Sequence, residues 1–292
     1  MNVGITGSSG FLGSSIIVKL NSKFNFKKLN LRQINLESDS EVNNSFSSLE
    51  TLIHLAGISS ISECERNPKS AYDVNVKTSI EVAENYYRKN NNGHFIFAST
   101  GQVYDEFGDL PHTEFSKIAP GNFYAETKLK AELELSKIAL KHSSRLTILR
   151  LFNHTHKTQS IRAVMPSIHD QLLKSNEEVV KLTVGNIELN RDLSSVQDVT
   201  SAIEKLLFDN QNLPGVNTYN LSSGVDKNLR QIIVLLAERL NKKILISVDP
   251  SRLRTNDPLR IVGDSTKFEN QFNWSSRSKS ISGFLDLFLE DL

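Results

Sequence analysis

The chain has 292 residues, with 34 Lys or Arg against 33 Asp or Glu, for a formal net charge of +1. So even a balance offers no broad field for nucleic acid or an anionic membrane, and no apolar run approaches the ~18 residues that span a bilayer. The single cysteine, Cys64, excludes an intramolecular disulfide and a cysteine-based zinc cluster, so a reducing, cytoplasmic setting without a bound metal is expected.

Taken in chain order, short apolar runs alternate with longer helical patterns, which predicts βαβ units and a parallel sheet. Asn2 to Thr6 reads as a strand and runs straight into glycines at 7, 10 and 13, so no signal peptide is expected. Phe11 to Leu20 follows as a helix, with Leu12, Ile16, Ile17 and Leu20 on one face. Phe26 to Leu31 is the second strand and Thr51 to Leu55 the third. Ala71 to Arg88 is a long helix, His94 to Ser99 the fourth strand, Gly121 to His142 a further long helix and Leu146 to Leu151 the fifth strand. Beyond about residue 155 the pattern loosens. Helices are expected at Val164–Lys174, Ala202–Asp209 and Leu229–Leu240, and a strand at Ile244–Val248. The expected fold is α/β. A doubly wound, Rossmann-type parallel sheet occupies residues 1–155, with segments around 190–225 adding to it. A smaller, interleaved α/β substrate lobe occupies residues 156–292.

The turn Thr6-Gly-Ser-Ser-Gly-Phe-Leu-Gly13 joins a strand to a helix. Glycines there permit a tight turn and close backbone approach, and the helix N-terminus offers unpaired N–H groups and the positive end of its dipole. Gly7, Ser9, Gly10, Phe11, Leu12 and Gly13 are therefore the candidate pyrophosphate cradle, although the spacing is G-x-x-G-x-x-G rather than G-x-G-x-x-G. At the end of the second strand, where an acid would hold the ribose of NAD, stand Asn30 and then Arg32. That pair leans to NADP(H) and leaves NAD(H) open, Arg32 being equally readable as a solvated charge.

Tyr124 and Lys128 lie four residues apart, on one face of the predicted helix. An ammonium beside a phenol favours phenolate and brings a poor acid–base group into working range. Six tyrosines in a lysine-rich chain make one chance Y-x-x-x-K common, so the motif gains weight only from its surroundings. The preceding strand ends in Ser99-Thr100, placing a hydroxyl at the mouth of the cleft, where Thr100 can meet a substrate oxygen beside Tyr124.

With these stretches go His54-Leu-Ala-Gly57, Asn75-Val76, Ser99-Thr-Gly-Gln-Val-Tyr104, Leu149-Arg-Leu-Phe-Asn153, Asn190-Arg-Asp-Leu193 and Tyr219-Asn-Leu-Ser-Ser-Gly224. Together they resemble an extended short-chain dehydrogenase/reductase of the nucleotide-sugar branch. The resemblance implies a catalytic set of Thr100, Tyr124 and Lys128, a cofactor wall including Leu55, Ala56 and Gly57, and support from Asn75. Two positions depart from the usual pattern: Thr127 stands for Ser, and Asp105 for Gly after Val-Tyr.

The second half is similar to GDP-4-keto-6-deoxy-mannose reductases. The resemblance rests on Phe152-Asn-His-Thr155, Val164-Met-Pro-Ser167, Arg191-Asp192, Arg254-Thr-Asn-Asp257, Gly263-Asp-Ser-Thr-Lys267 and Asn273-Trp274. It implies reduction of the 4-keto group of a nucleoside-diphosphate-4-keto-6-deoxyhexose, GDP-linked by preference, and a homodimer formed through the two long helices. The relatives carry Gly-Pro where this chain has His156-Lys157, and Arg-Pro where it has Arg254-Thr255. A diphosphate calls for cationic and N–H donors, so Arg191 and Arg254 are candidates for bidentate contact and Asn153 for an amide contact. Arg191 reads equally as the partner of Asp192, His154 as a packed or solvated histidine and Cys64 as an incidental thiol. Two rivals stand beside the reductase: a 4-epimerase with retained NAD, and a non-catalytic cofactor-sensing protein on the same fold. A dehydratase is disfavoured, since Thr100-Gly101-Gln102 lacks the additional acid–base pair.

Overall fold

The computed structural model describes residues 1–209, 213–252 and 260–292. β1 (Asn2–Thr6) passes through the glycine turn into α1 (Phe11–Leu20) and on to β2 (Asn25–Leu29). α2 (Asp39–Phe46) leads to β3 (Thr51–His54). Two short helices, α3 (Ile61–Arg66) and α4 (Pro68–Tyr72), precede a π-turn at Asp73–Lys77 and then α5 (Thr78–Lys89). β4 (His94–Thr100), α6 (Phe123–Lys141) and β5 (Arg145–Leu151) follow. Next come β6 (Asn153–Thr155), α7 (Val164–Lys174), β7 (Val179–Val184), β8 (Asn190–Arg191), β9 (Leu193–Ser195) and α8 (Val196–Phe208). Last are β10 (Val216–Leu221), β11 (Lys227–Asn228), α9 (Leu229–Arg239), β12 (Lys243–Val248), α10 (Thr266–Phe272) and α11 (Ile281–Leu289).

Among the described residues the central sheet has six strands in the order β10-β5-β4-β3-β1-β2, and every pairing is parallel. The chain leaves β1 on one side for β2 and returns on the other side as β3. A crevice therefore opens above the carboxyl ends of β1 and β3, the place where open α/β sheets take ligands. Parallel strands buried on both faces read as near-continuous apolar runs, and Phe95-Ile96-Phe97 of β4 shows why. Ile96 faces a core with Val3, Ile5, Ile16, Leu206 and Trp274, while Phe95 and Phe97 face the opposite core with Val42, Phe46, Tyr86 and Leu135.

Three departures from the sequence reading have local causes. The predicted helix Ala71–Arg88 is present but begins earlier and is not regular: Asn67 caps its start by accepting from Ser70 N at 3.3 Å, and a π-turn is inserted around Asn75 without breaking the run from Pro68 to Lys89. α6 starts at Phe123 rather than Gly121 because the Asn122 side chain accepts from Ala125 N at 2.9 Å. β10 was not predicted, since Asn217-Thr218-Tyr219-Asn220 gives no apolar run. It joins the sheet through β5, Val216 lying opposite Leu146 and Leu221 opposite Leu151.

The later segments build a second core. β7 and β12 pair in parallel, and α7, α9 and α11 cover them with Met165, Ile168, Leu172, Ile232, Leu236, Phe284 and Phe288. β6 pairs with β9, Asn153 opposite Leu193, which brings the exit of the central sheet beside the second core. No helix of the described residues is long and apolar enough to cross a membrane.

Candidate active site

Two cavities, of ≈ 410 and ≈ 660 Å³, share Asn153, His154 and Gln159 and so form one continuous cleft. The first lies over the crevice between β1 and β3. It is lined by Gly7, Gly10, Phe11, Leu12 and Gly13 from the turn, by Leu55 and Gly57 after β3, and by Ala98, Ser99 and Thr100 of β4 with Tyr124 and Lys128 of α6. The turn depends on its glycines. A Cβ at Gly13 would stand 2.3 Å from Gly7 O, and one at Gly7 would stand 2.8 Å from Ala56 N with φ at +65°. This bare backbone at a helix N-terminus fits a dinucleotide pyrophosphate. Ser9 is exposed beside the turn, and Ala56 lies behind the wall, its N–H donating to Thr6 Oγ1 at 3.2 Å. Asn30 and Arg32 are exposed beyond β2 and do not line the cavity.

Tyr124 is 8% exposed, and its hydroxyl hydrogen-bonds Thr100. Burial pushes the phenol up to about 12, against the opposing effect of the Thr100 bond. Tyr124 therefore holds its proton at neutral pH, the state required of a donor. Lys128 is equally buried. Its Nζ donates to Ala98 O at 2.7 Å and sits 4.6 Å from the Phe97 ring centroid. Burial brings its ammonium down to about 8, with Glu132 acting the other way. Thr100 also accepts from Gln102 N at 3.2 Å, which fixes its hydroxyl at the strand end.

Behind these groups runs a buried polar chain. Thr6 Oγ1 accepts from the N–H groups of Leu55 and Ala56 and bonds His54 Nδ1 at 2.9 Å. His54 Nε2 bonds Ser79 Oγ at 3.0 Å, and Ser79 donates to Asn75 O at 2.8 Å. Asn75 accepts from Ile58 N at 2.8 Å and donates to Thr127 Oγ1 at 3.0 Å, while Thr127 donates to Tyr124 O at 2.7 Å. With Thr6 already an acceptor twice, the consistent arrangement is a neutral His54 protonated at Nε2. Burial pushes that imidazole down to about 3. Thr127, at the usual serine position, thus joins the π-turn to the tyrosine backbone.

A second network supports Lys128 from below. Glu132, one turn on, forms a two-pronged pair with Arg150 (3.1 and 2.7 Å) and accepts from Ser99 Oγ. Arg150 also donates to Tyr104 OH at 3.0 Å, and Tyr104 donates to Asn220 Oδ1 at 2.7 Å. The sequence reading missed this set. Only the Lys128–Glu132 spacing hinted at it; the other partners meet across 18 to 116 residues. Asp105 accepts from Lys117 Nζ at 2.7 Å and from Phe107 N at 3.1 Å, so it closes the loop that follows Tyr104.

The second cavity is lined by Asn153, Arg162, Arg191 and Arg252 among mainly apolar residues of α7, β7 and α9. Arg191 is buried, and one of its nitrogens donates to Asn190 O at 2.8 Å. Asp192 accepts from Ser223 N at 2.7 Å, from Gly224 N at 3.0 Å and from Gly263 N at 3.2 Å. Arg252 is tied to Thr183 O at 2.8 Å and Asp249 at 3.3 Å. Arg162 and His154 were not among the predicted site residues, although both reach the cleft. Arg254 lies outside the described residues. Cys64 is buried against Tyr124 and Ala71, and its thiol is raised by burial.

Comparison with known proteins places this geometry in context. The sequence family described as GDP-mannose 4,6 dehydratase matches residues 16–284. A GDP-6-deoxy-D-mannose reductase of Pseudomonas aeruginosa is 28% identical over 278 residues, covering 92% of this chain and 90% of its own. A UDP-glucose 4-epimerase of Pisum sativum is 26% identical over 325 residues, covering 94% and 90%. Among solved structures, RMD from Pseudomonas aeruginosa complexed with NADPH superposes with a TM-score of 0.84 at 26% identity, over 99% of this chain and 96% of that one. A UDP-glucose 4-epimerase from Thermotoga maritima with UDP-glucose gives 0.83 at 23% identity, over 99% and 97%, and shows the shared fold.

Proposed function

The chain belongs to the GDP-mannose 4,6 dehydratase family, the NAD(P)-dependent nucleotide-sugar enzymes of extended short-chain dehydrogenase/reductase type, and within it we propose an NADPH-dependent 4-ketoreductase of a nucleoside-diphosphate-4-keto-6-deoxyhexose, GDP-linked by preference. The observation that carries this reading is the buried, protonated Tyr124 bonded to Thr100 on the wall of the first cavity, which is continuous with the second.

The nicotinamide, when bound, supplies the hydride. Gly7, Gly10, Phe11, Leu12 and Gly13 would hold its pyrophosphate, with Ser9, Leu55, Ala56 and Gly57 around them. Lys128 would hold its ribose, and Asn75 would fix the wall. The absence of an acid at Asn30, the following Arg32 and the likeness to RMD complexed with NADPH favour NADP(H) over NAD(H). Tyr124 delivers its proton to the oxygen that was the ketone. Thr100 orients that oxygen. The ammonium of Lys128 then stabilises the phenolate left on Tyr124. Asn153, Arg191 and Arg254 would face the diphosphate.

Dehydration needs a further acid–base pair in the cleft. Among the described residues lining the first cavity there is no Asp or Glu, and Gln102 stands beside Thr100, which favours plain reduction despite the family's name. The reading extends to a homodimer through α5 and α6, supported by Leu133 and Leu140, exposed seven residues apart on α6. Light scattering tests that part.

The deciding experiment follows absorbance at 340 nm with NADPH or NADH and a panel of GDP-, dTDP- and UDP-4-keto-6-deoxyhexoses. Consumption with one nucleotide series is expected. No consumption, together with NAD retained on the purified protein, would replace the ketoreductase by a 4-epimerase, in line with the likeness to UDP-glucose 4-epimerases.

A further inference from the structure

His156 and Lys157, the two residues that depart from the usual Gly-Pro, both reach the segment leaving α11. Lys157 Nζ donates to Leu289 O at 2.6 Å and pairs with Asp291 at 2.7 Å. His156 is fully buried beside Phe288. Its Nδ1 accepts from Thr158 N at 3.3 Å and bonds Thr158 Oγ1 at 2.9 Å, which leaves Nε2 to donate to Glu290 O at 2.8 Å. Gly-Pro could make none of these side-chain bonds.

The segment fixed at this point continues as one wall of the second cavity, through Gln159, Ile161, Arg162 and Ala163. Inside it the Thr155 hydroxyl donates to Gln159 Oε1 at 2.7 Å, and Ala163 N donates to Ser160 O at 2.9 Å. Arg162 is exposed toward that cavity, and among the described residues its guanidinium has no hydrogen-bond or ion-pair partner. A fork of donors left open on the wall of a cleft that also holds Arg191 suits an oxyanion ligand.

We infer that His156 and Lys157 form a clasp to residues 289–291 that sets the course of residues 156–163, and that Arg162, presented by this segment, contacts the diphosphate of the substrate. His156 and Lys157 are positioning residues, and Arg162 is the one that touches the ligand. The identity of the anion rests on the function proposed above; the clasp does not.

Two measurements on the full chain judge the two parts. Hydrogen exchange of residues 156–163 is expected to quicken in Lys157→Met and, less strongly, in Asp291→Ala, while the core of α9 keeps its wild-type protection. Asp291 is a solvent-facing side chain whose loss threatens no core. Unchanged exchange in both variants overturns the clasp, whatever the ligand.

Calorimetry with GDP and with UDP then reads Arg162. Arg162→Ala is expected to weaken binding by about tenfold or more, as for loss of a charge-assisted contact. Lys157→Met should weaken it by a smaller factor. The double variant should match Arg162→Ala alone, because the clasp acts through that arginine. In turnover, KM for the nucleotide sugar rises while kcat and NADPH affinity stay near wild type. Effects that multiply in the double variant, or an unaffected Arg162→Ala, overturn the link. Wild-type protein that binds neither nucleotide overturns both the Arg162 assignment and the proposed substrate class, while the exchange result still decides the clasp.

Discussion

The two halves of the cleft are built on opposite principles. The cavity over β1 and β3 has walls of strand ends and turn backbone, and polar side chains behind it are engaged in the Thr6–His54–Ser79–Asn75–Thr127 chain and the Glu132–Arg150 pair. The cavity beside β7 is walled by α7, β7 and α9 together with the loop 156–163, which carries Arg162, whose guanidinium has no partner among the described residues. The first is preorganised for a cofactor common to many enzymes. On the function proposed above, the second leaves Arg162 to be satisfied by the substrate, and so is where substrate choice can vary without disturbing the sheet.

This contrast can be broken by substitutions that hit one half and spare the other. The largest effect is expected from Tyr124→Phe, which removes the proposed proton donor and keeps the ring. Ketone reduction followed at 340 nm should fall about 10²–10⁴-fold, the usual worth of a positioned acid, with nucleoside-diphosphate affinity unchanged. Near-normal turnover would mean that another group protonates the product.

Next in size is Glu132→Gln. It leaves Arg150, 8% exposed, without a carboxylate, and unfolding in urea should show a loss of about 3–5 kcal/mol, as for one broken half of a buried ion pair. A loss below about 1 kcal/mol would class the pair with surface ones and remove it from the support of Lys128. Gly13→Ala comes third. A Cβ 2.3 Å from Gly7 O must displace backbone, so a destabilisation of about 1–3 kcal/mol is expected, together with weaker NADPH binding by fluorescence titration. GDP affinity should hold. If GDP affinity falls equally, the two halves are coupled rather than separate.

The smallest effect concerns Lys227, buried in the second half with its Nζ donating to Leu193 O at 3.1 Å. Burial lowers its ammonium from 10.5 to about 8, against the pull of Asp192. Between those values the unfolded chain holds the proton and the folded protein has released it, so unfolding free energy rises with pH across that window. Lys227→Met should remove a rise of at most about 3 kcal/mol. Identical slopes for both proteins in denaturation curves at pH 8 and 10.5 would show that Lys227 keeps its charge when folded.

How legible was this in the sequence? The glycine turn and the Tyr124–Lys128 pair were readable because each is compact in the chain: one turn of backbone, one turn of helix. The parallel sheet followed from the alternation of apolar runs, and the nicotinamide-enzyme class and nucleotide-sugar family from the motif string. The rest depends on meetings between distant residues. Tyr104 and Asn220, or Lys157 and Asp291, carry no local signal of each other. The helix predicted across Asn75 is there, but a period of 3.6 does not announce the π-turn inside it. Arg32, read with Asn30 as a cofactor selector, is exposed beyond the end of β2 and is not among the residues lining the first cavity.

The edge strand β10 has a consequence for how the molecule is made. Its residues Val216–Leu221 leave the ribosome only after α7, β7 and α8 have emerged. Until then β5 presents a row of unpaired backbone N–H and C=O groups on the growing sheet, a template for unwanted strand addition. At synthesis rates of about 5–20 residues per second, that exposure lasts several seconds per molecule. Nascent chains stalled just before Val216 should therefore be held by chaperones, and chains released beyond Leu221 should not.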